Sequence, residues 1–194
     1  MRTKAKNAKM PKSILVPLFP GFEEMEAIIF IDVMRRGNQT VVSAANTKEP
    51  IIAARKTVHL ADAQLSEINP HEFDSVYLPG GLLGTKNMME DKTLQNLLET
   101  FHSSQKPIAA ICAAPNVLRE FGILQGDDPF TAFPNSTNLV QKTSGLYQNQ
   151  RIVSHNNIHT SIGPGSAFEF SLYLLELFAG KEVKENVEEA LHLP

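Results

Sequence analysis

The sequence predicts an α/β fold, a mostly parallel sheet with helices on both faces, and two observations carry that expectation. Short apolar, strand-like runs alternate with helical-period segments from residue 14 to residue 191. Each crossover between successive strands is also long enough to return the chain parallel.

Taken in order, residues 14–19 (Ile-Leu-Val-Pro-Leu-Phe) read as a buried strand closed by Pro20-Gly21. Between residues 23 and 36, Met25, Ile28, Ile29, Val33 and Met34 recur at helical spacing. Glu23, Glu24 and Glu26 open that helix and Arg35-Arg36 end it before Gly37, so charges complement the dipole at both ends. Residues 40–44 are the next strand. Residues 50–68 form a small irregular β region built on Ile51-Ile52 and Val58-His59-Leu60. Residues 74–78 are a strand running into Pro79-Gly80-Gly81. Residues 92–102 form an amphipathic helix with Leu94, Leu97, Leu98 and Phe101 inward. The strand 107–111, a turn at Cys112 and a helix through Leu118 to Phe121 follow. Residues 130–133 and 151–159 are expected strands. Gly163-Pro164-Gly165 precedes a helix over 166–179, ended by Gly180, and a polar helix over 182–191 completes the pattern.

A chain of 194 residues fits one domain, here residues 13–194, and 42% hydrophobic with 20% charged residues is ordinary for a soluble globular protein. Residues 1–12 carry Arg2, Lys4, Lys6, Lys9 and Lys12 and no acid. That leaves 13 basic against 21 acidic residues, a net −8, in the body. A basic arm can contact nucleic acid. With an acidic body behind it, a short disordered tail is the preferred reading and nucleic acid is not an expected partner. One cysteine excludes an internal disulfide framework and a four-cysteine zinc site and suits a reducing cytosol, and no run is long enough to span a bilayer. A cytoplasmic location is therefore expected.

The residue with most chemical content is that cysteine, Cys112, at the junction between Ile108-Ala-Ala-Ile111 and Ala113-Ala114-Pro115. A strand turning sharply into a helix lifts the turn side chain from the sheet and aims the helix's first amides, Ala113 among them, at it. Those donors and the dipole favour a thiolate more acidic than a free one. Small Ala110 and Ala114 permit close packing around such a turn, as glycines do in the serine elbow. The competing reading is a buried structural thiol. Gly80-Gly81 falls at the same sheet edge and can offer amides to an oxyanion. The chain has neither a phosphate loop nor a dinucleotide fingerprint, and no cofactor is expected. Glu26 assists Cys112 only when protonated, as a donor to sulfur. Glu23 reads as a solvated, dipole-complementing acid, while Glu24 and Glu26 stay open. Any of the six histidines could serve Cys112 as a base. His155 and His159 are a metal pair only on a helix, and their surroundings look extended, so no metal site is expected.

These motifs, Glu23-Glu-Met-Glu26, Asp32-Val-Met-Arg-Arg36, Leu78-Pro-Gly-Gly81, Ala109-Ala-Ile-Cys-Ala-Ala-Pro115 and Gly163-Pro-Gly165, resemble the ThiJ/PfpI superfamily. Within it they are most similar to the branch of the Parkinsonism-associated deglycase and YajL, in order over nearly the whole chain. The resemblance implies a flavodoxin-like three-layer sandwich, akin to class I glutamine amidotransferases, that forms homodimers. It implies a reactive Cys112 contacted by protonated Glu26 and by the Gly80 and Gly81 amides. It also implies an anion site at Arg55 and, from a second subunit, Arg36. The implied activities are glyoxalase or deglycase chemistry on methylglyoxal or its adducts, or redox sensing and chaperoning through a sulfinate. A histidine stands after the cysteine in intracellular-protease relatives and before the proline matching Pro134 in several deglycase-like ones. Here those positions hold Ala113 and Phe133. Peptide hydrolysis needs a base, so protease or amidase activity is disfavoured. Thiamine (thiazole) biosynthesis, a name attached to relatives, has no residues here that specify it. Attack on an aldehyde by a preformed thiolate needs less base chemistry, with Glu26 as the remaining proton relay.

Overall fold

Residues 13–18 contain no charge because both faces of their strand are covered. Ile14, Val16 and Leu18 enter one core and Leu15 enters the other. This is β1 (Ser13–Leu18). The structure, a computed structural model, describes residues 10–140 and 144–193. After β1 the order is α1 (Glu24–Arg36), β2 (Thr40–Ala45), β3 (Ile51–Ile52), β4 (Val58–His59), β5 (Ala63–Gln64) and β6 (Ser75–Leu78). Then come α2 (Leu82–Glu90), α3 (Lys92–Ser103), β7 (Ile108–Ile111), α4 (Pro115–Glu120), β8 (Pro129–Phe130) and β9 (Leu146–Tyr147). Strands β10 (Ile152–His155) and β11 (Ile158–Ser161) and helices α5 (Ala167–Ala179) and α6 (Lys181–Ala190) finish the fold.

The main sheet runs β10-β11-β7-β6-β1-β2-β5, parallel throughout except for the β10–β11 pair. The chain walks outward from β1 to β5, then returns to the far side of β1 for β6 and β7. That reversal puts a crevice beyond the carboxyl ends of β1 and β6, where such sheets bind ligands. Helices α1, α5 and α6 close one face around Phe30, Met34, Phe170 and Leu175, while α3 and α4 close the other. On α3 the expected stripe of Leu94, Leu97, Leu98 and Phe101 is buried, each side chain contributing about 1.5–3 kcal/mol.

The structure departs from the expected elements in four places. The inward stripe of α1 is Ala27, Phe30, Val33 and Met34, whereas Met25 and Ile28 are 54% and 44% exposed. The ring of Phe30 lies flat on Tyr77, centroids 3.7 Å apart, and this stacking sets the helix's rotation, which spacing alone leaves open. Residues 151–159 form two antiparallel strands, because Asn156 takes φ 53° and turns the chain. Of the strand expected over 130–133 only Phe130 pairs, within β8 against Leu146–Tyr147, and Pro134 opens a 3₁₀ turn soon afterwards. Helix α2 has no counterpart in the expected pattern. Residues 1–9 of the expected tail lie outside the described residues. Lys12 is joined to the sheet, its N–H donating to Gln39 Oε1 at 2.8 Å and its Nζ pairing with Asp74 Oδ1 at 3.2 Å.

Candidate active site

Cys112 follows β7 directly and has φ 62°, a left-handed conformation costing a non-glycine residue about 1–3 kcal/mol. Its backbone is held on both sides. The Cys112 N–H donates to the Ser161 carbonyl at the end of β11 (2.8 Å), and the Cys112 carbonyl accepts from the Phe133 N–H (2.7 Å). Ala110, Ala113 and Ala114 are buried around the turn, the close packing their small side chains allow. The side chain is 9% exposed and opens on a cavity of about 500 Å³ at the crevice predicted by the topology.

Three elements meet at Gly80. A Cβ there would lie 2.7 Å from Cys112 Cβ, 2.7 Å from Glu26 Oε2 and 2.9 Å from the Ile111 carbonyl, so no other residue fits without displacing one of them. The Gly80 N–H donates to Glu26 Oε2 at 2.7 Å. That amide is therefore taken by a side chain, and the expected part of Gly80 in an oxyanion site passes to its neighbours. Gly81, at φ 91°, caps α2, and its amide together with that of Ala113 reaches the cysteine sulfur.

Glu26 is fully buried on the first turn of α1. Its Oε2 is held by Gly80, while Oε1 has no hydrogen-bond partner, and the Cys112 side chain acts on the same carboxyl. Burial is the main force raising this carboxyl from 4.5 to about 8, opposed by the Gly80 amide and reinforced by the charge of Glu23. Near neutrality it is a donor. For Cys112 itself, burial and then the Glu26 charge push the thiol up, while the Gly81 and Ala113 amides pull it down. This corrects the expectation of a simply acidified cysteine. Reading the turn from sequence counts the amides but not the desolvation that accompanies them. The two groups titrate as a pair, and protonation of Glu26 removes the repulsion and leaves the amides facing the sulfur.

The other two acids at the start of α1, Glu23 and Glu24, are not solvated. Glu23 is buried as the N-cap, its Oε2 accepting the Glu26 N–H at 2.9 Å, and it lines the cavity beside Cys112. Glu24 accepts the Arg55 N–H (2.8 Å) and the Thr57 hydroxyl (3.0 Å). Burial pushes its carboxyl up, but hydrogen bonds from its own amide, Thr57 and Arg55 outweigh that and hold it below the usual range. These contacts place Arg55 and Lys56 at the cavity, which Phe133 and Pro164 also line. Arg36 is not brought there by this chain. Ten residues along α1 put it about 15 Å from Glu26, and its Nε pairs with Asp32 Oδ2 at 2.6 Å.

No histidine lines the cavity among the described residues. His59 lies edge-on to Phe22, and His155 pairs with Asp128. His159 is buried, with Ser154 and Tyr173 hydroxyls each 3.0 Å from Nδ1, and burial lowers it to about 4. Glu23 is the site residue that sequence reasoning misplaced. Its position before a helix bearing Glu three residues later is the capping signal that identifies it.

A model of the DJ-1/PfpI family matches residues 12–177. Protein dj-1beta of Drosophila melanogaster is 39% identical over 183 residues, spanning 94% of this chain and 97% of its own. The glutathione-independent glyoxalase DJR-1.2 of Caenorhabditis elegans is 32% identical over 183 residues, with the same two spans of 94% and 97%. The crystal structure of Drosophila melanogaster DJ-1beta superposes with a TM-score of 0.90, covering 95% of this chain and 100% of that one. With its flavodoxin-like sheet and a sequence match over most of its length, the chain belongs to the DJ-1/PfpI family.

Proposed function

We propose that the protein is a cytoplasmic, cysteine-dependent enzyme of carbonyl-stress defence, a glyoxalase or deglycase acting on methylglyoxal or its adducts. The observation that carries this reading is a buried, protonatable Glu26 beside the Cys112 sulfur, at the floor of a cavity that admits a small carbonyl compound. The name of the Caenorhabditis elegans relative supports it.

In this reaction the Cys112 sulfur attacks the aldehyde carbon and a C–S bond forms. The carbonyl oxygen takes the proton of Glu26, giving a hemithioacetal and a carboxylate. Glu26 then removes the remaining hydrogen of that carbon as a proton, while a water molecule gives a proton to the neighbouring ketone oxygen and recovers one from the first oxygen in the next step, producing an enediol. Return of the proton to the second carbon, with loss of one from the first oxygen, leaves the thioester of a 2-hydroxy acid. The first carbon is oxidised and the second reduced by the same electron pair, so no external oxidant enters. Water cleaves the thioester to lactate and regenerates the thiol. The Gly81 and Ala113 amides stabilise negative charge on sulfur and on the transient oxygen. Cys112→Ser is the test. Lactate production from methylglyoxal should fall to background, and an unchanged rate would refute the proposal.

A second reading is a redox-sensing chaperone. It is favoured by the same geometry, since protonated Glu26 Oε1 has no hydrogen-bond partner and can donate to a sulfinate oxygen. Mild peroxide adding two oxygens to the intact mass, without lactate from methylglyoxal, would select it. Self-association into a homodimer belongs to both readings. Met25 and Ile28 on α1 and Ile52 and Val58 on the β3–β4 hairpin are exposed apolar side chains. The hairpin is tied to the start of α1 by the Gly21 N–H to Ile52 carbonyl bond (2.8 Å) and the Ala54 N–H to Phe22 carbonyl bond (2.8 Å). A monomeric mass by light scattering would exclude the dimer, and with it any delivery of Arg36 from a partner.

A further inference from the structure

Cys112 and Glu26 share a buried site that lacks the solvation to hold two negative charges. Once the pair has lost one proton, two forms compete: a thiolate beside a carboxylic acid, or a thiol beside a carboxylate. Only the first is a nucleophile. The Gly80 amide favours the second, because it donates to Glu26 Oε2 at 2.7 Å. The Gly81 and Ala113 amides on the sulfur oppose it, and a negative charge beside the carboxyl would oppose it further.

The groups facing Glu26 leave one candidate. From β6, the Tyr77 hydroxyl donates to the Glu26 carbonyl at 3.1 Å and is held neutral by burial. Glu24 is turned to Arg55 and Thr57. From α5, the Phe170 ring that packs in this core carries no charge. Glu23 remains. Its own N–H donates to the Gly80 carbonyl (3.0 Å), and its Oε2 accepts the Glu26 N–H (2.9 Å), so both ends of the residue are tied to the groups that hold Glu26.

We infer that Glu23 is a positioning residue whose charge keeps the site's single negative charge on the Cys112 sulfur rather than on Glu26. The inference rests on the reading that Glu26 donates to a Cys112 thiolate, but not on any particular substrate. The geometry explains why an acid, rather than serine or asparagine, caps this helix. A neutral cap would satisfy the Glu26 N–H equally well but would not repel charge from the carboxyl one turn above. The charge of Glu23 is also among the causes that raise Glu26.

The experiment is a double-mutant cycle read by the rate of Cys112 alkylation with iodoacetamide across pH. Glu23→Gln keeps the capping oxygen and removes the charge. The first ionisation of the pair should move down by about one pH unit, the size of a close charge interaction, and the plateau rate should fall about tenfold. In a Glu26→Gln background the same substitution should change nothing, since no carboxyl is left to compete. A merely structural cap would slow both backgrounds alike. Equal effects in both backgrounds, or a Glu23→Gln profile lying on the parent's, overturns the inference. If Glu23→Gln folds poorly, Glu23→Asn supplies a shorter neutral cap read in the same way. Because alkylation needs no turnover, failure of the glyoxalase reading would leave this result intact.

Discussion

Glu26→Gln offers the sharpest quantitative test of the site. The substitution keeps volume and an oxygen for the Gly80 N–H, and removes only the titration. In the folded protein Glu26 holds its proton to about 8 against an ordinary value of 4.5. Between those values the folded state binds a proton that the unfolded chain has lost, so stability falls as pH rises through the window. The slope is about 1.4 kcal/mol per pH unit, and the full span amounts to about 5 kcal/mol. From pH 5 to pH 7 the parent should therefore lose about 2–3 kcal/mol that the Gln variant keeps. Glu24, Asp62 and Asp74, whose values are lowered, contribute stability lost as pH falls, below this range. His159, lowered to about 4, adds stability as pH rises toward 6.5 but does so in both proteins. The difference between the two curves thus isolates Glu26. Urea unfolding followed by circular dichroism at pH 5, 6 and 7, under reductant, measures it. Parallel curves would show that Glu26 ionises like an exposed carboxyl, and the reasoning about the site would fail.

Other substitutions test the supporting contacts. Gly80→Ala drives a methyl against Cys112 Cβ and the Ile111 carbonyl, and should cost about 1–3 kcal/mol of stability by urea unfolding while slowing Cys112 alkylation. Glu24→Ala removes the acceptor for the Arg55 N–H and the Thr57 hydroxyl, and should cost about 1–3 kcal/mol at pH 7. Because the Glu24 carboxyl is held low, that difference should shrink as pH falls toward 3, and a pH-independent loss would contradict the assignment.

The parallel sheet was legible because its strands are short, uncharged and separated by long crossovers, and Cys112 because its motif sits where a strand must end. The rotation of α1 was not, since a 3.6-residue period fixes the width of a stripe but not which edge faces inward. Phe30 on Tyr77 decides that through a contact 47 residues distant in sequence. Helix α2 was hidden by Gly84 within it, whose missing Cβ lets it lie against the Phe22 backbone. The roles of the three glutamates at the start of α1 depend on which partners the fold delivers. Glu23 meets its own helix, Glu24 a hairpin turn, and Glu26 a glycine 54 residues away. The balance between amides and desolvation at Cys112 likewise exists only once the layers close over it.

The two backbone bonds that clamp Cys112 have a consequence for signalling. Its N–H is anchored to Ser161 and its carbonyl to Phe133. Atoms added to the sulfur, whether two oxygens or a substrate carbon, meet a main chain that has no slack, and the displacement is passed to those anchors. Deuterium uptake at the Phe133 amide, on the rim, would then report the chemical state of a sulfur that solvent scarcely reaches.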